Sequence, residues 1–408
     1  MRAIPLILCL VGLTVVESVR AHAQAPAPES GVSVFEQVIP NPTGENGYEE
    51  LVLAGQMLKA SPYAELLGQN PPLSVKRKIL ADRTCQQALR LLRRGVEKPV
   101  LSPRQQVTFS TLLPELSLFR NLGRLLAVEQ YVLLADGKTT EAVGEVRLCF
   151  RFAEAIQTDT IISGLVGVAI ATVCLQPMLD HLDQLSVRDL QALQAVCLEW
   201  LAKPSPLVRL IEAERFSMRH CLAEMRDNAR QKGLLAAFSE LTPDSEEVRP
   251  YAGQIPATEE GLDRFFGQVH QEMDRYYART LEELKKPAWL RQIPDPEEGK
   301  DLPGAVARAL LTDFGTLDDR YTHEAAKVRL MVVHTVIRRY RWEHDALPDS
   351  LEGLRLGELA RDPFNGASLE YVWRGSRYSL TSIGAPASNA DDPRQVNGRI
   401  PVALTPDD

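Results

Sequence analysis

The stretch SLFRNLGRLLAVEQYVLLADGKTTEAVGEVRLCFRFAEAIQ, residues 117–157, decides the fold. Leu118, Leu122, Leu125, Leu126, Val132 and Leu133 recur at helical spacing, an Asp136-Gly137 turn follows, and Val143, Val146, Phe150, Ala153 and Ile156 form a second stripe. Two helices joined by so short a turn run antiparallel and bury their stripes against each other and the next pair. Outward from this hairpin the same period predicts helices over 48–59, 74–95, 160–179, 186–202 and 206–228, with breakers such as Lys203-Pro204-Ser205-Pro206 between them. The expected fold is mainly α, either an irregular helical bundle or a TPR-like helical hairpin array.

Residues 160–179 carry no charge and approach the length of a membrane span. Gln176-Pro177 breaks their end, small residues fill the middle, and the flanks are Asp159 and Asp180 rather than basic residues. They are read as a central buried helix, with no stable membrane span. Residues 239–257 and 293–304 are polar, proline-dotted connectors. Between them Leu262, Phe266, Val269, Met273, Tyr276, Thr280 and Leu284 set one more helix face. A last long helix carries Val328, Val332, Val336 and Tyr340 at intervals of four and ends before Pro348.

Beyond Leu347 the period changes to two. Leu369, Tyr371 and Trp373 alternate with Glu370 and Val372, Arg374-Gly375-Ser376 can turn, and Tyr378, Leu380 and Ser382 alternate again, a small β-hairpin fed by Asp362-Pro363-Phe364-Asn365-Gly366. The series Leu347-Pro348, Asp362-Pro363-Phe364-Asn365-Gly366 and Ser382-Ile383-Gly384 after a long helix resembles the C-terminal module of the major pseudopilins of type II secretion, over about residues 325–393. That resemblance implies an αβ module with a loop that binds calcium, for which Asn389, Asp391 and Asp392 offer oxygen ligands; the set is read as a solvated loop, with no metal assigned. It does not extend to the filament-building helix, so filament assembly is not expected. The whole layout is similar to that of large exported proteins of planctomycete-type bacteria, a likeness that supplies no activity.

Met1-Arg2, the apolar run 4–16 and Ala21-His22-Ala23 have the three parts of a secretory signal, so export to the periplasm, cell envelope or extracellular space is expected. The predicted organisation is a signal peptide at 1–23, a flexible linker at 24–47, a helical body at 48–300, a long helix with the β-hairpin at 301–393, and a polar tail at 394–408. A net charge of −8 disfavours nucleic acid or anionic lipid as the main partner. Past the signal lie Cys85, Cys149, Cys174, Cys197 and Cys221, without a CxxC pair. They read as buried free thiols, with one bridge between neighbouring helices left open.

Chemistry is sparse. His270 with Asp274, and Glu212 with Glu214 and His220, stand at spacings that could supply half a metal site, but read as polar faces. Ser163-Gly164-Leu165-Val166-Gly167 opens no phosphate loop and reads as packing. Arg338-Arg339-Tyr340-Arg341-Trp342 could grip an anion or a partner's acidic peptide, but is expected to split into a buried Tyr340 side and a solvated arginine side. No catalytic, cofactor or metal residue is assigned. The expected function is a non-catalytic interaction or scaffold protein with a protein partner; the alternative is a small-ligand binder or enzyme whose site gathers distant residues such as His270, Asp274 and Arg338.

Overall fold

The computed structural model describes residues 33–403, apart from 105, 109–110, 235–236, 238–250, 252–253, 255, 257, 297–299 and 388–395. The signal peptide, residues 24–32 of the linker, most of the loop at 239–257 and the Asn389–Asp392 segment lie outside the described residues.

The chain is mainly α with a small antiparallel sheet at its C-terminal end. The central hairpin forms as its stripes dictate: α5 is Glu115–Ala135 and α6 is Thr139–Ile156. Around them stand α1 (Val34–Val38), α2 (Gly47–Lys59), α3 (Leu73–Ala81), α4 (Arg83–Glu97), α7 (Ile161–Val173), α8 (Gln176–Asp180) and α9 (Val187–Leu201). Because α5 packs at once on α2, α6 and α7, the hairpin sits inside an irregular bundle. Two helices are shorter than their periodicity suggests. Asp82 takes extended backbone and its carboxylate accepts from the amides of Thr84 and Cys85, so it ends α3 and caps α4. The apolar stretch Ile161–Asp180 breaks at Cys174-Leu175; it is long and apolar enough to cross a membrane, yet 67% of it is buried inside the fold.

The organisation differs from the predicted one in three places. Residues 33–47 are not a free linker: Ser33 and Glu36 form a capping box on α1, Val38 and Ile39 are buried, and Asn46 exchanges hydrogen bonds with the backbone of Leu101. The boundary at 300/301 cuts through a core. α10 (Leu207–Lys232), α11 (Glu259–Glu283), α12 (Leu302–Leu310) and the first turns of α13 (Phe314–His344) share a second core built on Phe265, Val269, Tyr277, Phe314 and Leu317. The rest of α13, from Ala326 to Ile337, returns to the first core and packs on α9 and α7. One helix of 31 residues, about 46 Å long, therefore belongs to both cores. Apolar periodicity marks the helices but not which of them share an interior.

The third difference is at the C-terminus, where the hairpin is a three-stranded sheet in the order β1 (Glu370–Arg374), β2 (Arg377–Pro386), β3 (Arg399–Ala403), the last lying in what reads as a polar tail. Arg374 pairs with Arg377 across a two-residue turn whose Gly375 has positive φ. Buried Asp362 ties the preceding turn to the sheet, accepting from the amides of Phe364 (2.9 Å) and Ile383 (2.6 Å) and from the Ser382 hydroxyl (3.0 Å). Gly384 has φ +74° at the bulge between β2 and β3, where a Cβ would overlap the Ile400 carbonyl. Gly384→Ala is therefore expected to cost at least the ~1–2 kcal/mol of a left-handed non-glycine residue. Urea unfolding would detect this; an unchanged midpoint would mean the β2–β3 contact is dispensable.

Candidate interaction surface

The sequence-predicted ionisable sets do not converge. His270 Nε2 lies 3.7 Å from Asp274, but Asp274 accepts from Arg215 Nε at 2.7 Å and also faces Arg219. The Arg215 hydrogen bond is the main reason its carboxyl sits below the usual aspartate range. The pair is an arginine counter-ion cluster between α10 and α11. Glu214 turns toward Thr312, 3.3 Å away, where burial pushes its carboxyl up to about 7; Glu212 is exposed, and His220 meets Phe216 edge-on. Among the described residues no three His, Cys, Asp or Glu side chains are placed to hold a metal. Gly164 and Gly167 are packing positions, against Leu210 and Tyr321 and against Gln157 respectively. Arg338 lies on the part of α13 that joins the first core, whereas His270 and Asp274 belong to the second unit, so these three are not brought together. Cys149 and Cys174 form a disulfide between α6 and the end of α7, the case the spacing left open, while Cys85, Cys197 and Cys221 are free and buried.

The basic and aromatic run on α13 is placed differently from its expected split. Arg338 is the buried member, 9% exposed, ion-paired with Asp183 and lying 5.8 Å over the Tyr378 ring. Tyr340 is only half-buried and stacks on His344. The reason is the sheet: Tyr378 on β2 reaches α13, its hydroxyl 2.8 Å from His334 Nδ1, and covers the arginine stem. Burial, the largest influence, raises the Tyr378 hydroxyl above the usual tyrosine range. Arg339 donates to Gln194 on α9.

Beyond His334 and Arg338 the surface is open. His334, Arg338 and Trp342 follow at intervals of four on α13, and Trp342 is 65% exposed. On the facing sheet Trp373 is the cross-strand partner of Tyr378, is 48% exposed, and donates its indole N–H to the Gly375 carbonyl. The end of α13 and the β1–β2 turn thus carry two exposed indoles together with Arg341, Arg374 and Arg377. Comparison with known proteins finds no match: no family model, no curated protein and no solved structure is similar to this chain. Trp342 was visible in the sequence as half of this surface. Trp373 was not, because alternation shows that it shares a face with Tyr371 without showing where that face meets water.

Proposed function

We propose that the protein is an exported, non-catalytic interaction protein that holds a partner protein on the face made by the end of α13 and the β1–β2 turn. The observation that carries this reading is the pair of exposed indoles, Trp342 and Trp373, bordered by arginines and backed by buried His334 and Arg338, both in contact with Tyr378, with Arg338 ion-paired to the exposed Asp183. Tryptophan and arginine dominate the energetics of protein interfaces, and a rigid support keeps the ordering cost of binding low. Export is supported by the signal-like first residues and by the Cys149–Cys174 bridge, a linkage that persists in oxidising compartments. The likeness to the pseudopilin C-terminal module is part of the proposal, with Asp362 joining the Asp-Pro turn to the Ser-x-Gly loop.

The test is retention of envelope and secreted proteins on immobilised chain, compared between the native protein and Trp342→Ala/Trp373→Ala. Truncation at interface hot spots costs about 2 kcal/mol or more, so retention of a specific partner should fall at least ~30-fold while the circular dichroism spectrum stays unchanged. Equal retention by both proteins would remove this face from the proposal.

A further inference from the structure

The two edges of the C-terminal sheet are guarded differently. β3 carries Pro401, which has no N–H to offer, a common device for closing an edge. β1 has no proline. Its pairing with β2 fixes which of its backbone groups are left over. Arg374 and Arg377 flank a two-residue turn and so form a hydrogen-bonded pair, as do Val372 with Ser379 and Glu370 with Thr381. The N–H and C=O groups of Tyr371 and Trp373 therefore point away from β2. Two residues before Tyr371, on the same side, Leu369 donates to the Ala360 carbonyl at 2.7 Å, so the preceding loop pairs with this edge only at its start. Among the described residues neither the N–H nor the C=O of Tyr371 or Trp373 has a hydrogen-bond partner.

Side chains alternate along the same strand. Trp373 lies on the face shared with Tyr371 and Tyr378, while the exposed Arg374 and Arg377 lie together on the opposite face. The single acid of the hairpin, Glu370, stands at the far end of β1 and accepts from the Thr381 hydroxyl at 3.2 Å, so the turn end is positive in a chain whose net charge is −8. A strand laid along this edge is best matched by an apolar side chain beside Trp373 and a carboxylate beside Arg374, pairings that stabilise neighbouring strands. We propose that the partner supplies an extended segment, alternating apolar and acidic residues, that adds to the outer edge of β1 as a fourth strand. This rests on the reading of the face as a partner-binding surface and specifies how the partner is held: main-chain bonds to Tyr371 and Trp373 give affinity, and the Trp373 and Arg374 side chains select the sequence.

Residue-resolved hydrogen exchange of the full chain tests the open edge: the amides of Tyr371 and Trp373 should exchange at least ~10-fold faster than that of Val372, which is bonded to β2. The binding probe is the peptide acetyl-Val-Asp-Val-Glu-Val-Asp-Val-amide, titrated by calorimetry to ~1 mM. Binding should slow exchange at Tyr371 and Trp373 and weaken at least ~10-fold in Arg374→Glu. Only one edge of an added strand faces β1, so N-methylation of one alternate set of peptide amides should weaken binding at least ~10-fold while methylation of the other set leaves it unchanged. Protection of both amides in the free chain, absence of binding at ~1 mM, or an equal effect of the two methylation patterns overturns strand addition. The surface itself is judged separately. If Trp342→Ala/Trp373→Ala loses its partner while the peptide fails these tests, the face stands and the added strand falls; if that variant keeps its partner, the face falls with it.

Discussion

Arg104→Ala should destabilise the first core by about 3–5 kcal/mol, the cost of stranding one member of a buried ion pair. Glu115 opens α5 with no exposure to solvent, and its carboxylate is held by Arg104 Nη1 at 2.6 Å, Arg104 Nη2 at 2.9 Å and the Tyr48 hydroxyl at 2.8 Å. Burial, followed by the charge of Glu115, raises the Tyr48 hydroxyl well above the tyrosine range, so it stays a donor. Arg104 also donates to the Leu112 carbonyl, so the same guanidinium pins the connector between α4 and α5. Without it Glu115 keeps only Tyr48. Tyr48→Phe, which removes one hydrogen bond and leaves the charge pair, should cost only about 1 kcal/mol. Arg104→Met combined with Glu115→Leu should recover most of the single-variant loss, because no charge is then left buried. Urea midpoints of the four proteins decide the matter, and an Arg104→Ala loss below ~1 kcal/mol would mean that solvent reaches Glu115.

Stability should fall as pH rises from 4.5 toward 7, with Glu324 and Glu214 the main causes. Glu324 on α13 is 6% exposed and accepts from Trp200 Nε1 at 2.5 Å; burial pushes its carboxyl up to about 7. Its folded value lies above its unfolded value of 4.5, so the folded chain binds the extra proton between the two. The contribution is fully present below pH 4.5 and is lost as pH rises through about 7. The displacement corresponds to about 3 kcal/mol. Glu214, also pushed up to about 7, and Asp319, to about 6, act in the same direction. Asp82, Asp189 and Asp274 act oppositely: their depressed values add stability that disappears as pH falls through their folded values. Glu324→Gln keeps an oxygen for Trp200 and cannot ionise. It should match the native chain near pH 4, exceed it by up to ~3 kcal/mol at pH 8, and flatten the profile between. Parallel profiles for the two proteins would show that Glu324 does not titrate in this window.

Much of the helical layout was legible because it is local. The stripes of α5 and α6, the four-residue repeat of α13 and the alternation before and after Gly375 need only neighbouring residues to be read. Asp82 and Leu175, where predicted helices break, carried weaker signals. An aspartate two and three residues before available amides is an N-cap, but it competes with an unbroken apolar stripe. The glycine contacts were not legible. Gly47 allows α2 to touch α4 at Gly95, and Gly123 makes room for Ile170, each across a separation that no periodicity spans.

The candidate surface divides in the same way. An Arg-rich, Trp-ending helix terminus can be read along the chain, and so can a hairpin that contains Trp373. Which arginine is buried depended on Tyr378 arriving from 40 residues beyond Arg338. Sequence by itself determined the α class, the helix faces and the change of period near the C-terminus, because side chains at fixed spacing either share a face or do not. Only the tertiary structure decided that α13 joins two cores and that Glu115 and Glu324 lie away from water. The physical reason is that desolvation and charge pairing depend on groups distant in sequence, whose approach is set by packing rather than by local pattern.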